Sequence, residues 1–208
     1  MTSIEALDSI DFFNGRTIAA HVVWPTKKEI SILSNKNVGV IHNPTSNMKL
    51  ASGVAPIADM LEAGVLIGLG TDGAASNNDL DMWEEMRLAA LLQKVTKMDP
   101  EALPANTILR MATTNGAHII GLGNKIGRLE VGMEADIIQI EFSDVHHQPN
   151  YDIASHLVYV TDEQDVITVI VNGKLIMHKN EFYTLDTNRI SREVAAISKK
   201  IGSSIKTN

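Results

Sequence analysis

Short apolar runs alternate with amphipathic segments over the first 120 residues of the chain. Two of the runs are short and mostly apolar without alternation, which is typical of a strand buried on both faces, whereas residues 17–23 alternate between two faces. The predicted strands are residues 17–23, 38–42 and 65–69. The predicted helices are residues 4–13, 26–33, 56–64, 80–97, 104–112 and 116–120. Alternating strands and helices favour parallel strands joined by right-handed crossovers.

The pattern changes after residue 121, where glycines become frequent. Residues 135–140 read as a strand, and the runs 166–171 and 174–177 flank Asn172-Gly173, a pair that favours a type I′ hairpin turn. An amphipathic helix is predicted over about residues 187–201. We therefore predict two domains, residues 1–121 and residues 122–208, the second being β-rich with a C-terminal helix.

Polar side chains stand where the three predicted parallel strands end. His21 closes the first strand, His42 and Asn43 the second, and Asp72 follows the third within a Gly-Thr-Asp-Gly turn. Parallel neighbours bring these ends to one rim, where α/β proteins place their chemistry. Asp72 could also be only a turn or capping residue.

Two connections near this rim carry local predictions of their own. The polar residues 45–53 are predicted to be a loop, and residues 77–79 to supply a cap for the helix that follows. Thr26 followed by Glu29 predicts a capping box at the start of the second helix.

Composition excludes several classes of protein. The chain has 208 residues, a formal net charge of −7 and no cysteine. Disulfides, thiolate metal sites and cysteine nucleophiles are therefore excluded, so His, Asp or Glu must hold any metal. The acidic balance argues against nucleic-acid and membrane partners. No apolar run approaches the roughly 18 residues of a membrane span, and the acidic N-terminus does not resemble a secretory signal. We expect a cytoplasmic location.

Four segments resemble the metal-dependent amidohydrolase superfamily. Within it, the chain looks like the branch of 5-methylthioadenosine/S-adenosylhomocysteine deaminases and related chlorohydrolases. The segments that carry the resemblance are residues 17–21, 42–50, 70–78 and 127–136. They occur in the family's order and spacing.

The resemblance is confined to the C-terminal half of that family. It implies an α/β fold made of the last three βα units of a (β/α)₈ TIM-type barrel, followed by part of a β-sandwich. A full barrel takes about 250 residues. The family's His-x-His pair has no counterpart in this sequence, since His146 and His147 are adjacent and fall in a loop of the predicted β-rich region.

The resemblance also implies a chemistry. Family members hold one divalent metal, usually zinc, which activates water for attack on a ring carbon bearing an amino group. Asp72 matches the family's aspartate, which binds the metal and the substrate and transfers protons. His21 matches a catalytic histidine that orients the attacking oxygen and the substrate ring. His118, His156 and His178 are interpreted as ordinary histidines.

The function expected from the resemblance is hydrolytic deamination of an adenosine-type small molecule, with amino- or chloro-azines as the alternative substrates. One carboxylate does not make a zinc site, which normally needs three protein ligands. The chain alone is therefore expected to be inactive unless another chain supplies the missing half-barrel. The alternative is a non-catalytic remnant or a dimerising scaffold, for example a homodimer.

Overall fold

The computed structural model describes residues 1–205 and confirms an α/β fold. The last three residues of the predicted domain 122–208 lie outside the described residues. The strands are Ile18–Ala20 (β1), Gly39–His42 (β2), Ile67–Leu69 (β3), Ile137–Ile140 (β4), Val166–Val171 (β5), Lys174–His178 (β6) and Glu181–Phe182 (β7). The α-helices are Ser3–Ser9 (α1), Lys27–Asn35 (α2), Pro44–Lys49 (α3), Ile57–Glu62 (α4), Ala74–Asn77 (α5), Met82–Lys97 (α6), Ala105–Arg110 (α7), Gly116–Ile119 (α8), Ile153–Tyr159 (α9) and Thr187–Ile205 (α10).

The strands form two open sheets. The first is parallel, in the order β1-β2-β3, and the second is antiparallel, in the order β4-β5-β6-β7. The chain folds as two compact units, one of residues 1–134 and 141–165, the other of residues 135–140 and 166–208. The domain boundary after residue 121 stays a prediction. No helix within residues 1–205 is both long and apolar enough to cross a membrane.

The core of the first unit surrounds β2 and β3. Val40 and Ile67 lie opposite each other in the parallel register and are fully buried. The backbone of β2 is in close contact with α8, because a Cβ on Gly39 would stand 2.7 Å from Cγ2 of Ile119. A side chain at this position would push the helix away from the sheet. Other fully buried core residues are Leu33, Ile57, Met60, Ile108 and Met111.

Local signals explain most element boundaries of the first unit. Thr26 and Glu29 form the predicted capping box at the start of α2. The predicted strand 17–23 ends at Ala20, because His21 and Val22 have φ angles of 68° and 44°. These left-handed conformations are incompatible with a strand.

Three local predictions were wrong. Residues 45–53 are not a loop, since α3 spans Pro44–Lys49. Pro44 is well suited to the first turn of a helix. The prediction missed this helix because its buried face is polar and the sequence therefore shows no apolar stripe. The cap of α6 is not at 77–79 but at Asp81, whose carboxylate accepts from the N–H groups of residues 83 and 84. The first helix ends at Ser9 rather than residue 13, because Asp11 is left-handed.

The second unit holds the hairpin and the C-terminal helix. Asn172 and Gly173 connect β5 to β6 with φ angles of 48° and 72°, as a type I′ turn requires. Helix α10 spans 19 residues and has no buried residue. One group of its apolar side chains is spaced three or four residues apart and exposed: Ile190, Val194, Ile197, Ile201 and Ile205.

Candidate active site at the rim of the parallel sheet

The structure brings His21 and Asp72 together at the C-terminal rim of the parallel sheet. Nε2 of His21 lies 3.8 Å from Oδ2 of Asp72, although β1 and β3 are separated by β2. His21 directly follows β1, and Asp72 lies in the turn after β3. Both residues have a left-handed backbone, with φ of 68° and 61°. The backbone therefore turns sharply at both residues, at the place where the two side chains meet.

Two serines hold the carboxylate of Asp72. The hydroxyl of Ser76 donates to Oδ2 over 2.6 Å, and that of Ser46 donates to the same atom over 2.8 Å. These hydrogen bonds, first Ser76 and then Ser46, keep the pKa of Asp72 below its usual value. The side chain remains about one-third exposed. Asp72 is thus an anionic, solvent-accessible group at neutral pH.

His21 is oriented by Asn47, a buried residue of α3. Nδ1 of His21 lies 2.9 Å from Oδ1 of Asn47. An amide oxygen only accepts hydrogen bonds, so Nδ1 carries a proton. The neutral ring therefore presents a lone pair at Nε2, facing Asp72. It can donate from Nε2 only as the imidazolium.

His42 and Asn43 lie below this surface. His42 is fully buried, and burial, assisted by the nearby charge of His21, lowers its pKa to about 3. Neither of its ring nitrogens has a hydrogen-bond partner within residues 1–205. The amide of Asn43 donates to the carbonyl oxygen of Gly70 over 2.8 Å and so connects β2 to the turn after β3. Both residues shape the rim from beneath.

A buried carboxyl group that sequence reasoning missed supports the turn after β3. Glu85 of α6 is fully buried and accepts from the amide of Asn77 over 2.7 Å. The same amide nitrogen donates to the carbonyl oxygen of Thr71 over 2.7 Å. Burial raises the pKa of Glu85. The sequence did contain a signal for this group, because Glu85 is an acidic residue on the apolar side of a predicted helix, beside Met86 and Ala89.

The rim alone does not contain a full metal site. Asp72 fits the role of one ligand, because it is ionised and accessible, and the imidazole of His21 stands beside it. Within residues 1–205, the one group of three possible ligands lies elsewhere, at His146, His147 and Asp165. A zinc site normally needs three protein ligands. The rim residues would therefore contribute part of a ligand set.

Comparisons with known proteins agree with this architecture. The sequence model of the Amidohydrolase family matches residues 1–176, so the chain belongs to the amidohydrolase family. A 5-methylthioadenosine/S-adenosylhomocysteine deaminase of Dictyoglomus thermophilum is 50% identical over 193 residues, which cover 93% of this chain and 45% of that relative. The chain thus spans less than half the length of this curated relative.

Two solved structures are also similar to this chain. An adenosine deaminase from Xanthomonas campestris with bound zinc superposes with a TM-score of 0.93 at 38% identity, over 96% of this chain and 46% of that one. The zinc complex of an atrazine chlorohydrolase from Arthrobacter aurescens superposes with a TM-score of 0.88 at 31% identity, over 94% and 44% of the two chains.

Proposed function

We propose that the parallel sheet is the last three βα units of a (β/α)₈ barrel and that the antiparallel sheet is part of an appended β-sandwich. The first sheet supports this proposal, because it is parallel and open at both edges and because β2 and β3 are buried. Further support is the superposition on 46% of the Xanthomonas campestris deaminase. Barrels abolish such edges by closing the sheet on itself.

We also propose that the rim forms part of the active site of a metal-dependent hydrolase that deaminates an adenosine-type substrate. The observation that carries the proposal is the anionic Asp72, held by two serine hydroxyls 3.8 Å from His21 at the strand ends. The substrate class rests on the 50% identity to the Dictyoglomus thermophilum deaminase. Amino- or chloro-azines are the competing class, since the chlorohydrolase superposes less closely.

Asp72 would carry protons in this reaction. A water oxygen forms a bond to the ring carbon, the carbon–nitrogen bond breaks, and ammonia leaves. Oδ2 of Asp72 accepts a proton from the water and returns it to the departing nitrogen. The hydrogen bonds from Ser46 and Ser76 keep the carboxylate ionised and fixed for the first transfer.

His21 would orient the attacking oxygen by donating a hydrogen bond from Nε2. Because Nδ1 is bonded to Asn47, this donation requires the imidazolium form of the ring, whose Nε2 faces the carboxylate of Asp72. Asn47 then acts as a positioning residue that fixes the ring plane.

A divalent metal, zinc by analogy with the solved relatives, would be held in part by Asp72 and would supply a water of lowered pKa. The described residues provide too few rim ligands to hold it. We propose that residues outside this stretch, on the same or on another polypeptide, complete the ligand set. A partner that supplies the other half of a barrel fits this requirement better than a homodimer, which would only duplicate the same ligands.

A chimera tests the proposal. The chain replaces the 193-residue matched stretch of the Dictyoglomus thermophilum deaminase. Ammonia release from methylthioadenosine and chloride release from atrazine are then measured, together with zinc content. We expect turnover of methylthioadenosine. We expect Asp72→Asn to lower kcat by about 10²- to 10⁴-fold and His21→Gln by about 10²-fold.

Matched controls separate chemistry from folding. Asp79→Asn changes an exposed carboxylate that also lies between β3 and α6, and His118→Gln changes an exposed histidine bonded to the carbonyl oxygen of Thr114. Both controls should keep wild-type turnover. If Asp72→Asn is as active as Asp79→Asn, the assignment of Asp72 is wrong. A folded chimera that turns over atrazine but not methylthioadenosine would overturn the substrate class.

A further inference from the structure

A second group of possible metal ligands lies within the first unit, away from the rim residues in sequence. His146 and His147 belong to a short 3₁₀ turn, Val145–His147, and Asp165 ends another, Glu163–Asp165. Nε2 of His146 lies 3.0 Å from Oδ1 of Asp165, and Nε2 of His147 lies 3.3 Å from Oδ2. One ligand atom from each residue falls within 4.8 Å of the others.

His147 is the unusual member of this cluster. Its side chain is fully buried, and its Nε2 has no hydrogen-bond partner of adequate geometry within the described residues, although it faces Asp165. A buried polar nitrogen without a partner costs roughly 1–3 kcal/mol, so such a nitrogen calls for an explanation. A cation bound between Nε2 and the carboxylate would satisfy it.

One tautomer of the His147–His156 pair leaves Nε2 of His147 free to bind a metal. Nδ1 of His147 lies 2.9 Å from Nε2 of His156, and the ring of Phe142 stacks on the imidazole at 4.6 Å. If Nδ1 carries the proton and donates it to His156, Nε2 of His147 is left with a free lone pair. A hydrogen bond to the other ring nitrogen is the usual support of a metal-binding histidine.

Asp165 faces both imidazoles, and His146 reaches solvent. The carboxylate of Asp165 is buried, and each of its two oxygens faces one imidazole, Oδ1 facing His146 and Oδ2 facing His147. His146 is about half exposed, which leaves a path for an ion from solvent. In a tetrahedral zinc site with bonds of about 2.0–2.1 Å, ligand atoms stand about 3.3 Å apart. Nε2 of each imidazole lies at about that distance from one oxygen of Asp165, Oδ1 for His146 and Oδ2 for His147.

We propose that His146, His147 and Asp165 form a second binding site for a divalent transition metal, with zinc the best match. Two imidazoles and one carboxylate suit Zn²⁺ rather than Ca²⁺ or Mg²⁺, which prefer oxygen ligands. Water would fill the fourth position. The site shares no ligand with the proposed rim site and does not depend on the proposed function.

The test is a zinc titration of the metal-free, full-length chain. The Asp72→Asn background removes the acidic ligand of the rim, so that zinc held there does not contribute. Binding is followed by competition with a chromophoric chelator. Co²⁺ is added in parallel, because its visible absorption reports tetrahedral coordination. We expect one Zn²⁺ per chain and a tetrahedral Co²⁺ spectrum.

Two matched variants assign the site. His146→Ala removes the exposed ligand and leaves the buried pair in place, so the fold should survive. Because even supporting partners of metal ligands contribute about 10- to 100-fold to affinity, we expect at least tenfold weaker zinc binding and loss of the Co²⁺ spectrum. His118→Ala removes an exposed histidine elsewhere and should bind as the background does. Equal affinities of these two variants, or no zinc binding in the background, would overturn the proposal and leave a buried His–Asp ion pair.

Discussion

The buried, unpartnered imidazole of His42 should make the first unit unstable toward acid. Its pKa is lowered from 6.5 to about 3 by burial and by the charge of His21. The unfolded chain therefore binds a proton near pH 6.5, whereas the folded chain does not. Stability is fully present above pH 6.5 and is lost as the pH falls toward 3.

The size of this effect follows from the two pKa values. One proton taken up on unfolding changes the free energy of unfolding by about 1.4 kcal/mol per pH unit. Between pH 7 and pH 5, only the interval below 6.5 contributes. His42 should therefore cost the folded state about 2 kcal/mol over that range, and up to about 5 kcal/mol near pH 3.

Urea unfolding of wild type and His42→Leu at pH 7 and pH 5 measures the effect. The two tryptophans, Trp24 and Trp83, both belong to the first unit, so their fluorescence reports its unfolding. Leucine has a similar volume and cannot titrate. Other groups act equally in both proteins, so subtraction isolates His42.

Between pH 7 and pH 5, the free energy of unfolding should fall by about 2 kcal/mol more in the wild type than in His42→Leu. His42→Phe provides a second non-titrating variant, should leucine pack poorly. The reasoning is refuted if the loss of unfolding free energy between pH 7 and pH 5 differs by less than about 0.5 kcal/mol between the wild type and each of the two variants. The buried imidazole would then be protonated or hydrated in the folded chain.

Three further perturbations test other contacts. Ser76→Ala removes the 2.6 Å hydrogen bond to Asp72, so the pKa of that carboxyl should rise toward 3.8, as measured by ¹³C NMR titration. Thr26→Ala removes the cap of α2 and should lower the free energy of unfolding by about 1 kcal/mol in urea. Gln93→Leu leaves the buried carbonyl of Ala55 without its donor, and thermal unfolding should show a loss of about 1–3 kcal/mol.

The sequence carried enough information to predict the parallel sheet and its rim. The apolar runs that became β2 and β3 are buried and flanked by strong turn residues. Once these strands are parallel, their polar ends must share one edge, which is where His21 and Asp72 meet. The catalytic roles of these two residues stay predictions.

Features that depend on distant contacts could not be predicted in this way. Asn77 is buried where its amide donates to Glu85 of α6, and its own polar sequence surroundings do not indicate burial. The short helix α9, capped by Asp152, lies in a stretch that read as β-rich. It supplies His156, which contacts His147 and so differs from the ordinary histidine that the sequence predicts. Such pairings follow from the tertiary fold and leave no periodic signal.

Helix α10 gives the chain a built-in spectroscopic reporter of assembly. A 19-residue helix is about 28 Å long, and helices in proteins owe most of their stability to the packing of one apolar face against another surface. None of its residues is buried. Its helical population therefore depends on whether its isoleucine-rich side is covered. A gain in far-ultraviolet circular dichroism on mixing this chain with a candidate partner would register docking of this helix without any label.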